Sequence, residues 1–116
     1  MYPIETIFAE KVETIISKGS IKSRMKDYHD SLLIIREPNP LKPTKLTKPL
    51  TLTFKTRGTK LQIPITFNKN SLDILENLWS SHLKKLGNFK KRLNLPEEIS
   101  DLIDELNVWL KSNLRL

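Results

Sequence analysis

Apolar residues at the start of the chain recur at the spacing of an amphipathic helix and predict a helix over residues 3–18. Their repeat of three or four positions brings them onto one helical face at about 100° per residue. Pro3 suits the first turn, where its missing N–H leaves no hydrogen bond unmade, and Gly19 suits the end. The apolar stripe consists of Ile4, Ile7, Phe8, Val12, Ile15 and Ile16.

A second helix is predicted from Ser20 or Ser23, either of which can cap it, to about Arg36. Its latter part, residues 32–35, is apolar on all sides, which is typical of a helix at the centre of a bundle. Since only a short link separates the two helices, we expect them to pack as a helical hairpin.

The middle of the chain begins with a predicted connector over residues 38–49, because prolines at four of these positions interrupt regular helix. After it, residues 50–54 and 61–65 alternate apolar and polar side chains, as the strands of a hairpin do. Pro64 weakens the second strand, since proline cannot donate a ladder hydrogen bond. The residues by themselves leave the structure of this stretch open.

Two more helices are predicted in the last third of the chain, over residues 71–86 and about 96–114. The first has Asn70 or Ser71 as its cap and ends at Gly87, and the second opens with a proline and two glutamates. The two apolar stripes are formed by Leu72, Leu75, Trp79, Leu83 and Leu86 and by Ile99, Leu102, Ile103, Leu106, Leu110 and Leu114.

These elements predict a mainly α fold, a small helical bundle of four to five helices with a proline-rich connector and at most a minor hairpin. A chain of 116 residues is long enough to bury one core. We therefore expect a single helical domain over residues 1–116.

Composition excludes several kinds of site. The chain has no cysteine and only two histidines, so it holds no disulfide framework, and no metal site is predicted. His29 is interpreted as a half-buried neighbour of Met25 and Leu32. Early acidic residues do not suit a signal peptide, and no apolar run reaches the ~20 residues of a membrane span. We expect a cytoplasmic protein with no membrane partner.

The formal charge of +7 is concentrated in one part of the chain. Residues 38–72 contain seven cations and no acid: Lys42, Lys45, Lys48, Lys55, Arg57, Lys60 and Lys69. A block of one sign favours a polyanionic partner such as RNA. The alternative interpretation is a lysine-rich solvated loop, because no aromatic pair or RNP-like pattern interleaves the lysines as single-strand binding usually requires.

Lys11 lies in the middle of the first apolar stripe, four residues from both Ile7 and Ile15. It is either a snorkelling lysine or a cation that faces a cleft. On the second helix, Asp27 and Asp30 are three residues apart and share a face. These aspartates are either an exposed helix start with local ion pairs or partners of Lys11.

Two stretches, YPIETIFAEK at residues 2–11 and RMKDYHD at residues 24–30, resemble the last two conserved motifs of AbiEii/AbiGii-type nucleotidyltransferase toxins. A weaker similarity continues through residues 53–59 and 75–79. The resemblance implies that residues 47–57 are helical, against the hairpin interpretation.

The resemblance also implies roles for five residues. Lys11 and Asp27 would be the catalytic pair, with the lysine at the nucleotide phosphates and the aspartate acting as a base or orienting a neighbouring group. Arg24, Lys26 and Asp30 would be substrate-binding residues. The intact family enzyme is expected to use Mg²⁺ and a nucleoside triphosphate, neither of which this chain is expected to bind as a cofactor by itself.

The family's N-terminal half, with its GG or GS turn and D-x-D carboxylate pair for Mg²⁺, has no counterpart in the sequence. Phosphoryl chemistry depends on such metal ions, so this chain alone is expected to transfer no nucleotide. The expected function is that of the C-terminal helical part of an AbiEii-like enzyme, as a split subunit or a truncated relic. Its expected partners are a separate N-terminal half or a cognate antitoxin. The alternative is a non-enzymatic module that binds nucleic acid or another protein.

Overall fold

The computed structural model describes residues 3–21, 24–37 and 41–114, and within these ranges the chain is a bundle of helices. The helices are α1 (Ile4–Lys18), α2 (Met25–Arg36), α3 (Pro43–Arg57), α4 (Lys69–Leu86), α5 (Phe89–Arg92) and α6 (Ile99–Asn113). The mainly α fold class is confirmed. No helix in the described ranges is both long and apolar enough to cross a membrane.

Helix α1 lies between α2 and α3 and packs against both. Its predicted apolar face supplies Phe8, Val12 and Ile15 to the core, each at most 2% exposed. Neighbouring helices cover only part of the α1 face that runs from Ile7 to Lys18. Polar side chains on this face are therefore accessible to solvent. The helix thus connects the core with the surface that holds the predicted site.

Helix α3 begins at Pro43 and continues through Pro49, so the prediction that residues 38–49 exclude regular helix was wrong from residue 43 onward. Pro43 stands at the helix start, where its missing N–H costs nothing. Pro49 removes one internal hydrogen bond. The full burial of Leu46 and Leu50, together with Phe54, offsets that loss by fixing one face of the helix against the core.

No hairpin forms in the described residues, since 50–54 belongs to α3 and 61–65 pairs with no strand. Instead, the side chain of Asn107 on α6 replaces a partner strand at Ile65. The Ile65 N–H donates to Asn107 Oδ1 at 2.7 Å, and Asn107 Nδ2 donates to the Ile65 carbonyl at 2.9 Å. This amide pair lets Ile65 bury its side chain without a sheet.

Side chains from elsewhere in the bundle organise the two C-terminal helices. The buried Trp79 of α4 donates its indole N–H to the Pro96 carbonyl at 3.0 Å. The Glu76 carboxylate accepts the N–H of Ile99 and so caps α6, which begins at Ile99 rather than 96. The side chain of Asn68, not Asn70 or Ser71, caps α4 by accepting the Ser71 N–H.

The start of α2 also differs from the prediction. It begins at Met25 and has no side-chain cap, and Ser20 instead donates its hydroxyl to Ser71 at 3.3 Å. The other predicted cap, Ser23, lies outside the described residues.

An arginine fork joins the end of α2 to α6. Arg36 donates to both carboxylate oxygens of Glu105, at 2.7 and 2.9 Å, and to the Asn94 carbonyl at 2.8 Å. The hydrogen bond from Arg36 lowers the pKa of Glu105. Such a planar two-point contact fixes the relative orientation of the two helices.

Two histidines 53 residues apart meet where α2 contacts α4. His29 Nδ1 lies 3.0 Å from His82 Nε2, and the rings are nearly perpendicular. His82 also stacks on Trp79. Burial lowers the pKa of both rings. The neighbouring His29 lowers the pKa of His82 further, whereas the Asp30 charge partly opposes the decrease in both rings. A neutral pair can share one proton as a hydrogen bond, which two imidazolium ions cannot.

The histidine pair predicts that the protein loses stability in mild acid. Unfolded histidine takes up its proton near pH 6.5, whereas the folded rings do so at lower pH. The unfolded state therefore binds more protons between these values, and the free energy of unfolding falls as the pH drops below 6.5.

Urea unfolding at pH 7.5 and pH 5.5 tests this. His82→Gln should cost about 0.5–1.5 kcal/mol at pH 7.5 through the lost hydrogen bond and should show a smaller change between the two pH values. An equal pH dependence in the variant and the natural protein would contradict the assignment.

Candidate functional site

Lys11 of α1 reaches across to two carboxylates of α2. Its Nζ atom donates to Asp30 Oδ2 at 3.0 Å and lies 3.5 Å from Asp27 Oδ1. The side chains of Lys11, Asp27 and Asp30 are 21%, 16% and 28% exposed. The structure thus brings together three of the five predicted site residues in one partly buried cluster, called here the lysine–aspartate cluster.

The ammonium group keeps capacity for a further partner. It has three N–H donors, and the two aspartates accept at most one each in this geometry. Because both contacts come from α2, they hold the flexible lysine stem in one direction. The third donor is therefore available to a group that approaches α1 from the adjoining cavity.

A cavity of about 360 Å³ opens beside the cluster. It is lined by Ile7, Glu10, Lys11, Thr14, Lys18, Arg24, Asp27 and Arg57. Four cations and two carboxylates line it, whereas Asp30 and Glu13, which pair with Lys11 and Arg57, do not line it and bring the formal charge of the whole site to zero. The excess of cations is thus confined to the surface of the cavity, where it suits an anionic group.

The five predicted residues do not all reach this cavity. Lys11, Asp27 and Arg24 line it, and Asp30 acts on it through its bond to Lys11. Lys26 is exposed and does not line it. The structure therefore joins four of the predicted residues and leaves Lys26 outside, while their roles toward a nucleotide stay a prediction.

Sequence reasoning missed Lys18 and Arg57. Lys18 lies seven residues beyond Lys11, two turns along the same face of α1, so the spacing that selected Lys11 also contains it. Arg57 ends α3, and the sequence marks it only as one cation of the basic block at 38–72, not as part of this site. It reaches the cavity because Glu13, whose side chain is 3% exposed, accepts from Arg57 Nη1 at 3.2 Å and from Thr59 at 2.6 Å.

Tyr28 presents a buried hydroxyl next to the cavity. Its oxygen has no hydrogen-bond partner among the described residues. It lines a narrow cleft together with Lys18, Arg24 and Asp27, all of which also line the cavity. Burial raises the pKa of Tyr28, and the Asp27 charge adds to the increase. The phenol thus stays protonated, and it lies beneath the surface of the cavity.

The carboxylates of the site do not fit a magnesium ion. Asp27 and Asp30 both hold the Lys11 ammonium, which stands where a cation bridging them would stand. Within the described ranges no group of three or more histidine, aspartate or glutamate side chains is arranged to hold a metal.

A larger cavity, of about 520 Å³, lies elsewhere, where the ends of α2 and α6 meet the start of α3. Its charged residues are one of each sign, Glu37 and Lys42, beside apolar side chains such as Trp109. Its charge is therefore balanced, and it contains none of the predicted site residues. The smaller basic cavity remains the candidate site.

Comparison with known proteins finds one family. The family model of the nucleotidyl transferase AbiEii toxin, of type IV toxin–antitoxin systems, matches residues 1–105 of the chain. The match covers both α1 and α2 and extends into α6. No curated protein and no solved structure matches the chain.

The lysine–aspartate cluster predicts a stability change that depends on charge balance. Lys11→Met keeps the stem but removes the ammonium, so Asp27 and Asp30 face each other without a cation. We expect a loss of about 1–3 kcal/mol in the free energy of unfolding. Adding Asp30→Asn should recover part of that loss, because one of the two like charges is removed.

Urea unfolding of the single and double variants measures the coupling. Additive losses would contradict the cluster, since residues in direct contact do not behave independently.

Proposed function

The chain belongs to the AbiEii family of nucleotidyl transferase toxins, and we propose that its lysine–aspartate cluster contributes the phosphate-contacting part of a nucleotidyl-transfer site. The family operates in toxin–antitoxin systems, so a cognate antitoxin is implied. The observation that carries the proposal is the placement of Lys11, held by two aspartates, on the wall of a basic cavity.

The proposed roles follow from the donors that line the cavity. Nucleotidyl transfer spreads negative charge over phosphate oxygens, and fixed cations lower its barrier. Lys11 would direct its third N–H to a phosphate oxygen. Arg24, which precedes α2, and Lys18, the last residue of α1, would contact the other phosphates.

For Asp27 the geometry favours orientation over proton transfer. Asp27 and Asp30 grip the same ammonium from one helix, so together they restrict where its remaining donor points. A general base must reach the proton that it removes. Asp27 already lies against Lys11, and we propose that it positions this lysine, with the base role as the alternative.

The metal that the reaction needs would have to be held by other carboxylates. We propose that these come from an N-terminal nucleotidyltransferase half outside residues 1–116, on a separate subunit in the split version of the proposal. In the relic version that half is missing. Affinity purification of the tagged chain from its host separates them, because a bound D-x-D-bearing protein supports the split version and argues against the relic.

Nucleotide binding tests the proposed site. The cavity should bind the phosphates of a fluorescent nucleoside triphosphate as a substrate would bind, not as a resident cofactor. Arg24→Gln should weaken this affinity by roughly 10-fold or more, since a charge-assisted hydrogen bond contributes about 1.5–3 kcal/mol. Lys11→Met should have an effect of similar size. Fluorescence anisotropy measures both.

The matched control is Lys111→Gln, which removes one exposed charge from α6, away from the cavity. If this control weakens the binding as much as Arg24→Gln does, the nucleotide responds to net charge and the cavity is not its site.

A second candidate function is RNA binding by the basic block, and the outer face of α3 favours it. Leu46, Leu50 and Phe54 are buried on one side of the helix. Lys45, Lys48 and Lys55 lie on the opposite side and are exposed. No acidic residue occurs between Glu37 and Asp73, so this face carries one sign of charge. It could lie along a phosphate backbone without base contacts.

Salt dependence tests this candidate. We expect RNA affinity to fall as salt rises, and replacement of Lys45, Lys48 and Lys55 by glutamine should reduce the slope of log K against log salt by about 2–3, since each phosphate contact contributes roughly 0.7–0.9. A fluorescence titration of labelled RNA at several salt concentrations gives the slope. An unchanged slope in the triple variant would exclude this face.

A further inference from the structure

The turn between α4 and α5 has a second concentration of cations. Five of the nine residues at positions 84–92 are basic and none is acidic. They lie in the last turn of α4, which ends at Leu86, and in α5, which follows after Gly87 and Asn88. This group does not stand out in the charge distribution of the last third of the chain, because the acidic residues of α6 balance its charge there.

An exposed aromatic side chain stands in the middle of these cations. Phe89 opens α5 and is 59% exposed, which is high for a phenylalanine. The Arg92 guanidinium carbon lies 5.8 Å from the centre of its ring, a distance typical of a cation–π contact. The ring is therefore held near a cation while more than half of its surface stays accessible.

Most of these cations have no carboxylate partner. Lys90 pairs with Glu97, whose oxygen lies 3.1 Å from Nζ, but that glutamate is itself 79% exposed. In the described part of the chain no carboxylate lies within ion-pair distance of Lys84, Lys85, Lys91 or Arg92; the ion pairs there involve Lys11, Arg36, Arg57 and Lys90. Their charge is thus available to an external anion.

The turn also has room for a phosphate, in a cavity that Phe89 does not line. This cavity of about 320 Å³ is lined by Lys84, Lys90 and Glu97 on either side of Gly87. A Cβ atom added at Gly87 would meet no other atom within 4 Å, so no side chain covers the backbone of the turn at this residue. An anionic group can therefore approach the turn between the two lysines.

We propose that the α4–α5 turn is a binding site for single-stranded nucleic acid. One base stacks on Phe89, and the backbone phosphates on each side of it contact Lys84 and Lys91. Unstacked bases on aromatic side chains together with backbone contacts to cations are the combination that single-strand binding uses. The outer face of α3 lacks an exposed aromatic residue, so the turn, not α3, distinguishes single strands from duplexes.

Removal of the ring tests the stacking. Fluorescence anisotropy with a labelled single-stranded oligouridylate measures the affinity of the full chain. Phe89→Ala should weaken binding by about 5-fold or more, and Phe89→Trp should retain it, because stacking on one aromatic side chain contributes about that much. Val108→Ala is the matched control: Val108 is 66% exposed on α6, and its loss should change nothing.

Removal of the charges tests the backbone contacts. Lys84→Gln with Lys91→Gln should reduce the salt slope by about 1.4, the value for two phosphates of a single strand. The control replaces Lys111, an exposed lysine of α6 that belongs neither to the turn nor to the basic block, by glutamine. It should leave the slope within experimental error.

Three results would overturn the proposal. The first is an affinity for the oligouridylate that is unchanged in Phe89→Ala. The second is equal binding of the single strand and of its duplex with oligoadenylate, since paired bases cannot stack on the ring. The third is Phe89-dependent binding to vesicles of anionic phospholipid without binding to the oligonucleotide, which would assign the turn to a membrane surface. None of these results depends on the nucleotide cavity beside Lys11.

Discussion

Helix α1 buries an apolar stripe and, within the same stripe, has to pair the charge of Lys11. The candidate site depends on this pairing. Its apolar stripe is buried between α2 and α3, while Lys11, which lies within that stripe by sequence, cannot be buried without an opposite charge. Asp27 and Asp30 supply that charge from α2. Packing of apolar side chains therefore stabilises the helical hairpin on one side, and a partly buried ionic cluster stabilises it on the other.

The cluster has more value for position than for stability. Partly exposed ion pairs contribute little net free energy, because the attraction is largely offset by the loss of hydration. Two acceptors around one ammonium do, however, restrict the direction of a side chain that would otherwise be mobile. The same logic applies to Arg57, which the buried Glu13 carboxylate holds at the lining of the same cavity.

The basic character of the chain is divided among surfaces of different shape. Near Lys11 the cations line a concave surface, which suits compact phosphate groups. Along α3 they form an exposed stripe without aromatic residues, whereas at the α4–α5 turn they surround an exposed ring. The three surfaces therefore differ in shape and in the presence of an exposed aromatic ring, Phe89, and these differences predict different ligands although all three are basic.

Much of the fold and part of the site could be predicted from the sequence, because helices are encoded by local periodicity. The apolar stripes located α1, α2, α4 and α6, and the spacing of Lys11, Asp27 and Asp30 selected the residues that meet in the cluster. A family resemblance, since confirmed, indicated the helix at 47–57 where the local alternation suggested strands.

Other features were decided only by tertiary structure, since they join residues far apart in sequence. Asn107 replaces a partner strand for Ile65, and His82 meets His29 across 53 positions. Burial of one face carries α3 through Pro49, and Glu13 brings Arg57 to the cavity. Spacing along a helix determines which side chains share a face, but only the packing of the helices determines what that face meets.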